Sequence, residues 1–263
     1  MKNTRRNFLK FAGLSAAALS LAPKAALASA YKGDLREHNA YPEVAKKTRH
    51  AGRWAMVIDT RKLNTAEAIK PLQDACHHEH NVPNIPTNQN IMWLFHKPYG
   101  NVFPEQMNNH QNEEIMTREY VLMCNHCSNP PCVRVCPTQA TFKRPDGIVA
   151  MDYHRCIGCR FCMAGCPYGA RSFNYMEPRL HLDKSTLNPT FPTRMRGVVE
   201  KCNFCVERLA RGENPVCVDA SGGALIFGDL DDPKSEVRKA LRENFTIRRK
   251  PAVGTEPGVY YIL

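Results

Sequence analysis

Several features are missing from this 263-residue chain, and each absence excludes something. Its longest apolar stretch, Phe11 to Ala22, has 12 residues. A membrane-spanning helix needs roughly 20, so the mature chain reads as soluble or peripheral. The formal charge is +11, yet Lys and Arg are spread evenly with no run of five or six. That pattern does not favour a nucleic-acid polymer as partner. No nucleophile motif and no nucleotide-binding loop stand out, so nothing points to a catalytic chain. No Cys-x-x-Cys is followed by His: Ser128, Arg160 and Val206 occupy those positions, which excludes covalent c-type haem. Cysteine itself is abundant. There are 12; eleven lie between 124 and 217, and Cys76 stands apart.

The first thirty residues carry an export signal in the expected order. A Thr-Arg-Arg-x-Phe-Leu-Lys string, Thr4 to Lys10, reads as a twin-arginine signal. The short apolar stretch follows, then small residues that fit cleavage after Ala28 or Ala30. Removing 1–28 takes away Lys2, Arg5, Arg6, Lys10 and Lys24 and no acid, so the charge falls from +11 to +6. The expected location is the periplasm, peripheral to the inner membrane. The twin-arginine route carries folded proteins, which suits a cofactor inserted before export.

In an exported chain, 12 cysteines would ordinarily suggest disulfides. Their spacing suggests metal. Cys124, Cys127, Cys132 and Cys136 read C-x2-C-x4-C-x3-C-Pro, and Cys156, Cys159, Cys162 and Cys166 read C-x2-C-x2-C-x3-C-Pro. The second is the bacterial ferredoxin run, in which the fourth cysteine ligates the other cluster of the pair. The first three cysteines wrap one cubane while the fourth begins a helix that leads away. Cys124, Cys127, Cys132 and Cys166 are therefore one expected [4Fe–4S] site, and Cys156, Cys159, Cys162 and Cys136 another. A zinc ribbon would use two Cys-x-x-Cys pairs instead of two runs of four. Disulfides between residues three apart are geometrically poor.

An internal repeat places the rest. "NPPCVRVCPTQATF" (129–142) aligns with "NPVCVDASGGALIF" (214–227), so Cys136 falls on Ser221, with one residue deleted after it. "VAMDYHRCIGC" (149–159) aligns with "MVIDTRKLNTA" (56–66), so Cys156 falls on Leu63. "CMAGC" (162–166) aligns with "LQDAC" (72–76), so Cys166 falls on Cys76. Under the same swapped pairing, Cys202, Cys205, Cys217 and Cys76 complete a third cluster, while all four ligands of a fourth are gone. Three clusters carry about −6 when oxidised, at about −2 each with their thiolates, against +6 on the mature chain. His77, His78 and His80, beside Cys76, read as surface groups, because adjacent histidines on a helix face different ways.

The expected fold is α+β and loop-rich, with two ferredoxin-like modules and swapped ligands. One module is contiguous, 118–176; the other is split, 52–90 plus 197–230; a C-terminal helix and tail fill 231–263. Strands are expected at 53–60, 119–124, 147–152, 171–175, 197–202 and 224–228, with a turn at "KRPDG" joining two strands. A helix is expected from Pro233 to about Arg242. Pro- and Asn-rich loops 81–90, 96–112 and 185–196 are candidates for partner contact. Little apolar core is expected near each cubane, so metal should carry much of the stability.

"CNHCSNPPCVRVCPTQATFKRPDGIV", "CIGCRFCMAGCPYGARSF" and the tail "GTEPGVYYIL" resemble the electron-transfer subunits of complex iron–sulfur molybdoenzymes and of polysulfide and nitrite reductases. The resemblance spans most of the mature chain. It implies a non-catalytic relay, usually with four cubanes in a wire. This sequence departs from that at Leu63–Ile69 and Ser221. With its export signal and "IMWLFHKPYGNVFPEQ", the chain is most similar to the Dsr branch, which serves dissimilatory sulfur metabolism. The resemblance implies that the lost cluster is the terminal one, which would face a molybdenum subunit. It implies that the Cys124, Cys127, Cys132, Cys166 cluster lies at the opposite end, facing a quinone-interacting integral membrane subunit. A multihaem cytochrome c would approach the Cys76 cluster. Other readings are the electron-transfer subunit of a polysulfide, nitrite or hydrogenase system and, in a different class, an exported zinc- or disulfide-stabilised binding module.

Overall fold

The computed structural model describes residues 48–263, so the signal peptide expected over 1–28 lies outside the described residues. The apolar run Trp54–Ile58 and the Asp59 that follows it form a strand buried along its whole length, as a strand covered on both faces must be. Leu225–Asp229 pairs with it antiparallel, and Val259–Ile262 pairs parallel on the other side. Thr246–Ile247 completes a four-stranded sheet. Alternate side chains go to opposite faces. Ala55 and Val57 meet Val237 and Ala240 of the helix Glu236–Glu243. Trp54, Met56 and Ile58 enter the main core.

Three further antiparallel pairs complete the α+β fold: Phe95–Pro98 with Glu119–Leu122, Thr141–Lys143 with Val149–Met151, and Ser172–Phe173 with Val199–Glu200. Their registers follow the internal repeat. Thr141 faces Met151 where Leu225 faces Ile58. Ser172 faces Glu200 where Phe95 faces Leu122, two residues before Cys202 and Cys124 respectively. Single hydrogen bonds repeat as well. The Asp152 N–H donates to the Ala140 carbonyl at 2.7 Å, and the Asp59 N–H to the Ala224 carbonyl at 2.9 Å. The Thr141 N–H donates to Cys136 Sγ at 3.5 Å, and the Leu225 N–H to Ser221 Oγ at 3.0 Å.

Four expectations need correcting. The C-terminal tail is part of the sheet, because Val259–Ile262 hydrogen-bonds directly to Trp54–Asp59. The helix expected from Pro233 begins at Glu236: Asp232 and Pro233 form a turn, and the Ser235 hydroxyl accepts the Arg238 N–H at 3.2 Å as the cap. The loops set aside for partners are partly structural. Tyr99, Val102 and Phe103 are buried, and Asn81 donates to the carbonyls of Asn188 and Phe191 at 2.9 and 2.7 Å, tying two loops together. Finally, apolar core does reach the cysteines: Cys76, Cys124, Cys127, Cys202 and Cys217 belong to the main core cluster.

Candidate metal centres

All twelve cysteines are free thiols, so no disulfide staples the fold. Cys136, Cys156, Cys159 and Cys162 line one cavity. Cys127 is pushed up to about 12 by burial, then by Cys124, with Cys132 and Cys166 also close enough to repel its thiolate. Cys76 is buried on the helix Ala66–Glu79. Burial raises its thiol well above the ordinary range, and the neighbouring Cys202, Cys205 and Cys217 add to this. Cys76 thus lies near Cys202, Cys205 and Cys217, far from it in sequence, and Cys136 lies with Cys156, Cys159 and Cys162.

Four uncompensated thiolates in such surroundings would be costly. The cysteine loops also supply what an anionic cluster needs. His126, Phe204 and Arg160 lie inside the cysteine motifs and take left-handed φ values of 41°, 56° and 63°. Such turns make concavities of backbone N–H groups that accept anions, iron–sulfur sites among them. The Phe204 N–H donates to Cys202 Sγ at 3.5 Å. Burial raises Cys136, but N–H groups of Thr141, Thr138 and Ala140 and the Thr138 hydroxyl together bring its thiol below its usual value. Gly158, at φ +70°, could not be another residue: a Cβ there would lie 2.4 Å from the Gly197 carbonyl oxygen. Among the described residues no three His, Cys, Asp or Glu side chains are drawn together for a single ion; the thiolates of a cubane each bind a different iron and need not be. The residues present therefore fit [4Fe–4S] clusters.

Contacts between neighbourhoods order them. Cys202 feels Cys124, whose backbone N–H also reaches its thiolate, and His126 stacks on Phe204 with ring centroids 3.7 Å apart. Cys132 is in turn close enough to Cys162 to raise it. The Cys124, Cys127, Cys132, Cys166 set is therefore in the middle. Its expected place at the end of the wire is corrected: the set with Cys136, Cys156, Cys159 and Cys162 lies there. Its loop leaves Ile157 67% and Phe161 60% exposed.

Where the repeat would place a fourth set, Leu63, Ile69 and Leu72 are buried in the main core. The helix Ala66–Glu79, capped by Thr65, replaces the cysteine loop. Ser221 keeps the N–H contact of its cysteine counterpart and donates to the Val218 carbonyl at 2.7 Å.

The histidines need a correction too. His80 is buried, not on the surface; it stacks on Trp93 with centroids 4.5 Å apart, and its Nδ1 lies 2.8 Å from the Cys76 carbonyl oxygen. Cys76 and His80 are four apart on a helix and share a face. Burial lowers His80 to about 4 and His77 to about 4, so both are neutral near pH 7. His78 is exposed. Sequence reasoning misses two buried cations beside the cysteines, Arg171 and Lys201. For Lys201 one signal exists: it follows the strand Val199–Glu200 and stands directly before Cys202.

Residues 118–181 match the 4Fe-4S dicluster domain family. Over 98% of its length and 97% of the relative's, the chain is 39% identical to the Hdr-like menaquinol oxidoreductase iron-sulfur subunit 1 of Archaeoglobus fulgidus. It is 37% identical to the menaquinone reductase iron-sulfur cluster-binding subunit of Nitratidesulfovibrio vulgaris, covering 80% of this chain and 88% of that one. It is 33% identical to a tetrathionate reductase subunit of Salmonella typhimurium, covering 100% and 89%.

Proposed function

Because the chain belongs to the family of iron–sulfur electron-transfer subunits of oxidoreductase complexes, we propose that it is the DsrO-type member: a three-cluster relay in dissimilatory sulfur metabolism. The subunit is non-catalytic. It works in the periplasm, exported folded by the twin-arginine route. One partner is an integral membrane subunit that reacts with quinone, in line with relatives named for menaquinol and menaquinone. The other is a multihaem cytochrome c. Among the described residues no helix is long and apolar enough to cross a membrane.

Bound clusters supply one-electron redox chemistry. The protein's part is to hold, shield and tune. Cys124, Cys127, Cys132 and Cys166 hold the middle cluster; Cys136, Cys156, Cys159 and Cys162 hold an outer one; Cys76, Cys202, Cys205 and Cys217 hold the third. The ferredoxin-like modules are 118–176 and the split 52–90 plus 197–230. Exposed Ile157 and Phe161 offer the outer set to the membrane subunit.

The observation that carries this reading is the filled fourth place. Three sets keep four thiols each, while Leu63, Leu72 and Ser221 stand where the fourth set's would be. With no terminal cluster there, no molybdenum subunit is served. Iron and acid-labile sulfide analysis of the native protein tests the count: about 12 iron atoms per chain are expected from three four-iron clusters. A content of about 16, or about 8, would sink it. A stoichiometric molybdopterin subunit in the purified complex would overturn the choice of partner.

A further inference from the structure

Buried cations in this protein come in two kinds. Arg194 is paired: its guanidinium lies 2.7 Å from a Glu200 carboxylate oxygen, both side chains being fully buried. Arg171 and Lys201 are buried just as deeply, 6% and 1% exposed. Among the described residues neither forms an ion pair with a carboxylate. The Lys201 ammonium donates to the carbonyls of Val149 and Cys202. Arg171 Nη1 donates to Thr141 Oγ1 at 3.2 Å and leans on Met151 Sδ at 3.7 Å, while its Nη2 is buried with no partner. Taking a charge out of water without a counter-ion is strongly unfavourable. Neutral acceptors do not offset that.

The compensating charge is sulfur. Arg171 lies beside the loop of the outer set, since its acceptor Thr141 donates its own N–H to Cys136 Sγ at 3.5 Å, and it is near enough to Cys132 to lower that thiol against burial. Burial would lower its guanidinium, but Cys132, Cys162 and Cys124 together hold it above its ordinary value. Lys201 directly precedes Cys202 and donates to its carbonyl, and its other acceptor, Val149, packs with Cys132 and donates its N–H to His126 Nδ1 inside the Cys124–Cys127 loop. Each cation therefore lies beside two cysteine sets, and the set they share contains Cys132.

The repeat supplies a control within the same chain. Lys201 corresponds to Met123, one residue before the paired cysteine motif, and Arg171 to Leu94, one residue before the paired strand. Met123 and Leu94 are both buried. The cations stand next to the strand pair Ser172–Phe173 with Val199–Glu200, and apolar side chains stand at the same places beside the corresponding pair Phe95–Pro98 with Glu119–Leu122.

Building on the three-cluster reading, we propose that Arg171 and Lys201 are redox-tuning residues whose counter-ion is the cluster held by Cys124, Cys127, Cys132 and Cys166, and that they make this middle cluster the highest-potential of the three. Reduction adds one electron and one negative charge, with no bond made or broken. A fixed cation in a low-dielectric site favours the reduced form. The middle of the wire is thus an electron well, which keeps one electron ready for either neighbour.

The test is a dithionite titration followed by EPR, with signals assigned by Cys76→Ala and Cys136→Ala. Iron content is measured first. A wild-type count other than about 12 per chain would fail the underlying reading while leaving the titration of the middle cluster interpretable. In wild type the middle cluster should reduce first. Arg171→Gln should lower the middle and outer clusters, and Lys201→Met the middle and Cys76 clusters. Each shift should be at least tenfold in the reduction equilibrium, about 59 mV for one electron. Arg171→Lys and Lys201→Arg should restore the potentials. Iron lost in the neutral variants but kept in the charged ones also supports a counter-ion. Unmoved potentials with full iron, equal shifts in neutral and charge-keeping variants, or iron lost in both, would overturn the proposal.

Discussion

The two halves of the repeat are stabilised differently. In 118–176 the strands are short and paired in twos, and the apolar cluster at its outer end is small: Cys132, Val149 and Cys162, with Val199 of the split half against them. In the split half the counterpart of Val149–Met151 is the strand Trp54–Asp59, at the inside of a four-stranded sheet. The counterpart of the four-residue helix Phe161–Ala164 is the 14-residue helix Ala66–Glu79. Where a cysteine set was lost, side-chain packing took its place. Each fully buried Leu or Ile contributes roughly 1.5–3 kcal/mol of hydrophobic stabilisation, and Leu63, Ile69 and Leu72 are all buried there.

Removing the metal should separate the halves most strongly. Chelation of iron under anaerobic conditions should collapse amide-exchange protection around Cys132 and Cys162, where the apolar cluster is small, and leave it measurable along Trp54–Asp59 and Val259–Ile262. Equal loss in both would mean that the split half leans on metal just as heavily. A smaller cut in the same direction is Cys76→Ala. It should delete or convert the Cys202, Cys205, Cys217 cluster, lowering iron by up to a third, with the EPR signals of the other two intact. Unchanged iron and spectra would show that Cys76 is not a ligand.

How much could be read from sequence follows from the range of each signal. The grouping of Cys156, Cys159 and Cys162 is local, so spacing suffices to suggest it. Placing Cys76 required the repeat, which carries long-range information within one chain. The same repeat hides the helix Ala66–Glu79, because it aligns that segment with a cysteine loop, although Ile69, Leu72 and Cys76 recur at helical spacing behind a Thr65 cap. The strand Val259–Ile262 has a short partner nearby, Thr246–Ile247, but the partner that brings it into the sheet, Trp54–Asp59, is some 200 residues away. The order of the cysteine sets depends on which loops meet at the centre, as His126 and Phe204 do, and spacing holds no trace of that.

The next comparison concerns Glu200 and its counterpart Leu122, both buried on strands leading into a cysteine motif. Glu200 accepts from Trp93 Nε1 at 2.9 Å and Asn174 Nδ2 at 2.6 Å and pairs with Arg194. Arg194→Met strands a buried carboxylate and should cost about 3–5 kcal/mol, read from chemical denaturation of the holoprotein. Adding Glu200→Leu, the residue its counterpart uses, should recover a large part of that loss. If the double variant is no better than the single, the two positions are not interchangeable and the polar network fixes the strand's place.

The smallest effect belongs to Ser221, the position that answers to Cys136. Its hydroxyl donates to the Val218 carbonyl at 2.7 Å and accepts the Leu225 N–H at 3.0 Å, so it serves the turn into the strand Leu225–Asp229. If that is its whole role, Ser221→Ala should cost about 1 kcal/mol, the usual net value of a hydrogen bond, and leave iron content and every EPR signal unchanged. A shifted denaturation midpoint with an intact spectrum would show a former ligand position now working as a turn residue. Loss of iron on replacing one hydroxyl would mean that an oxygen ligand still binds a cluster there. The filled fourth place, and the absence of a molybdenum partner inferred from it, would then both fall.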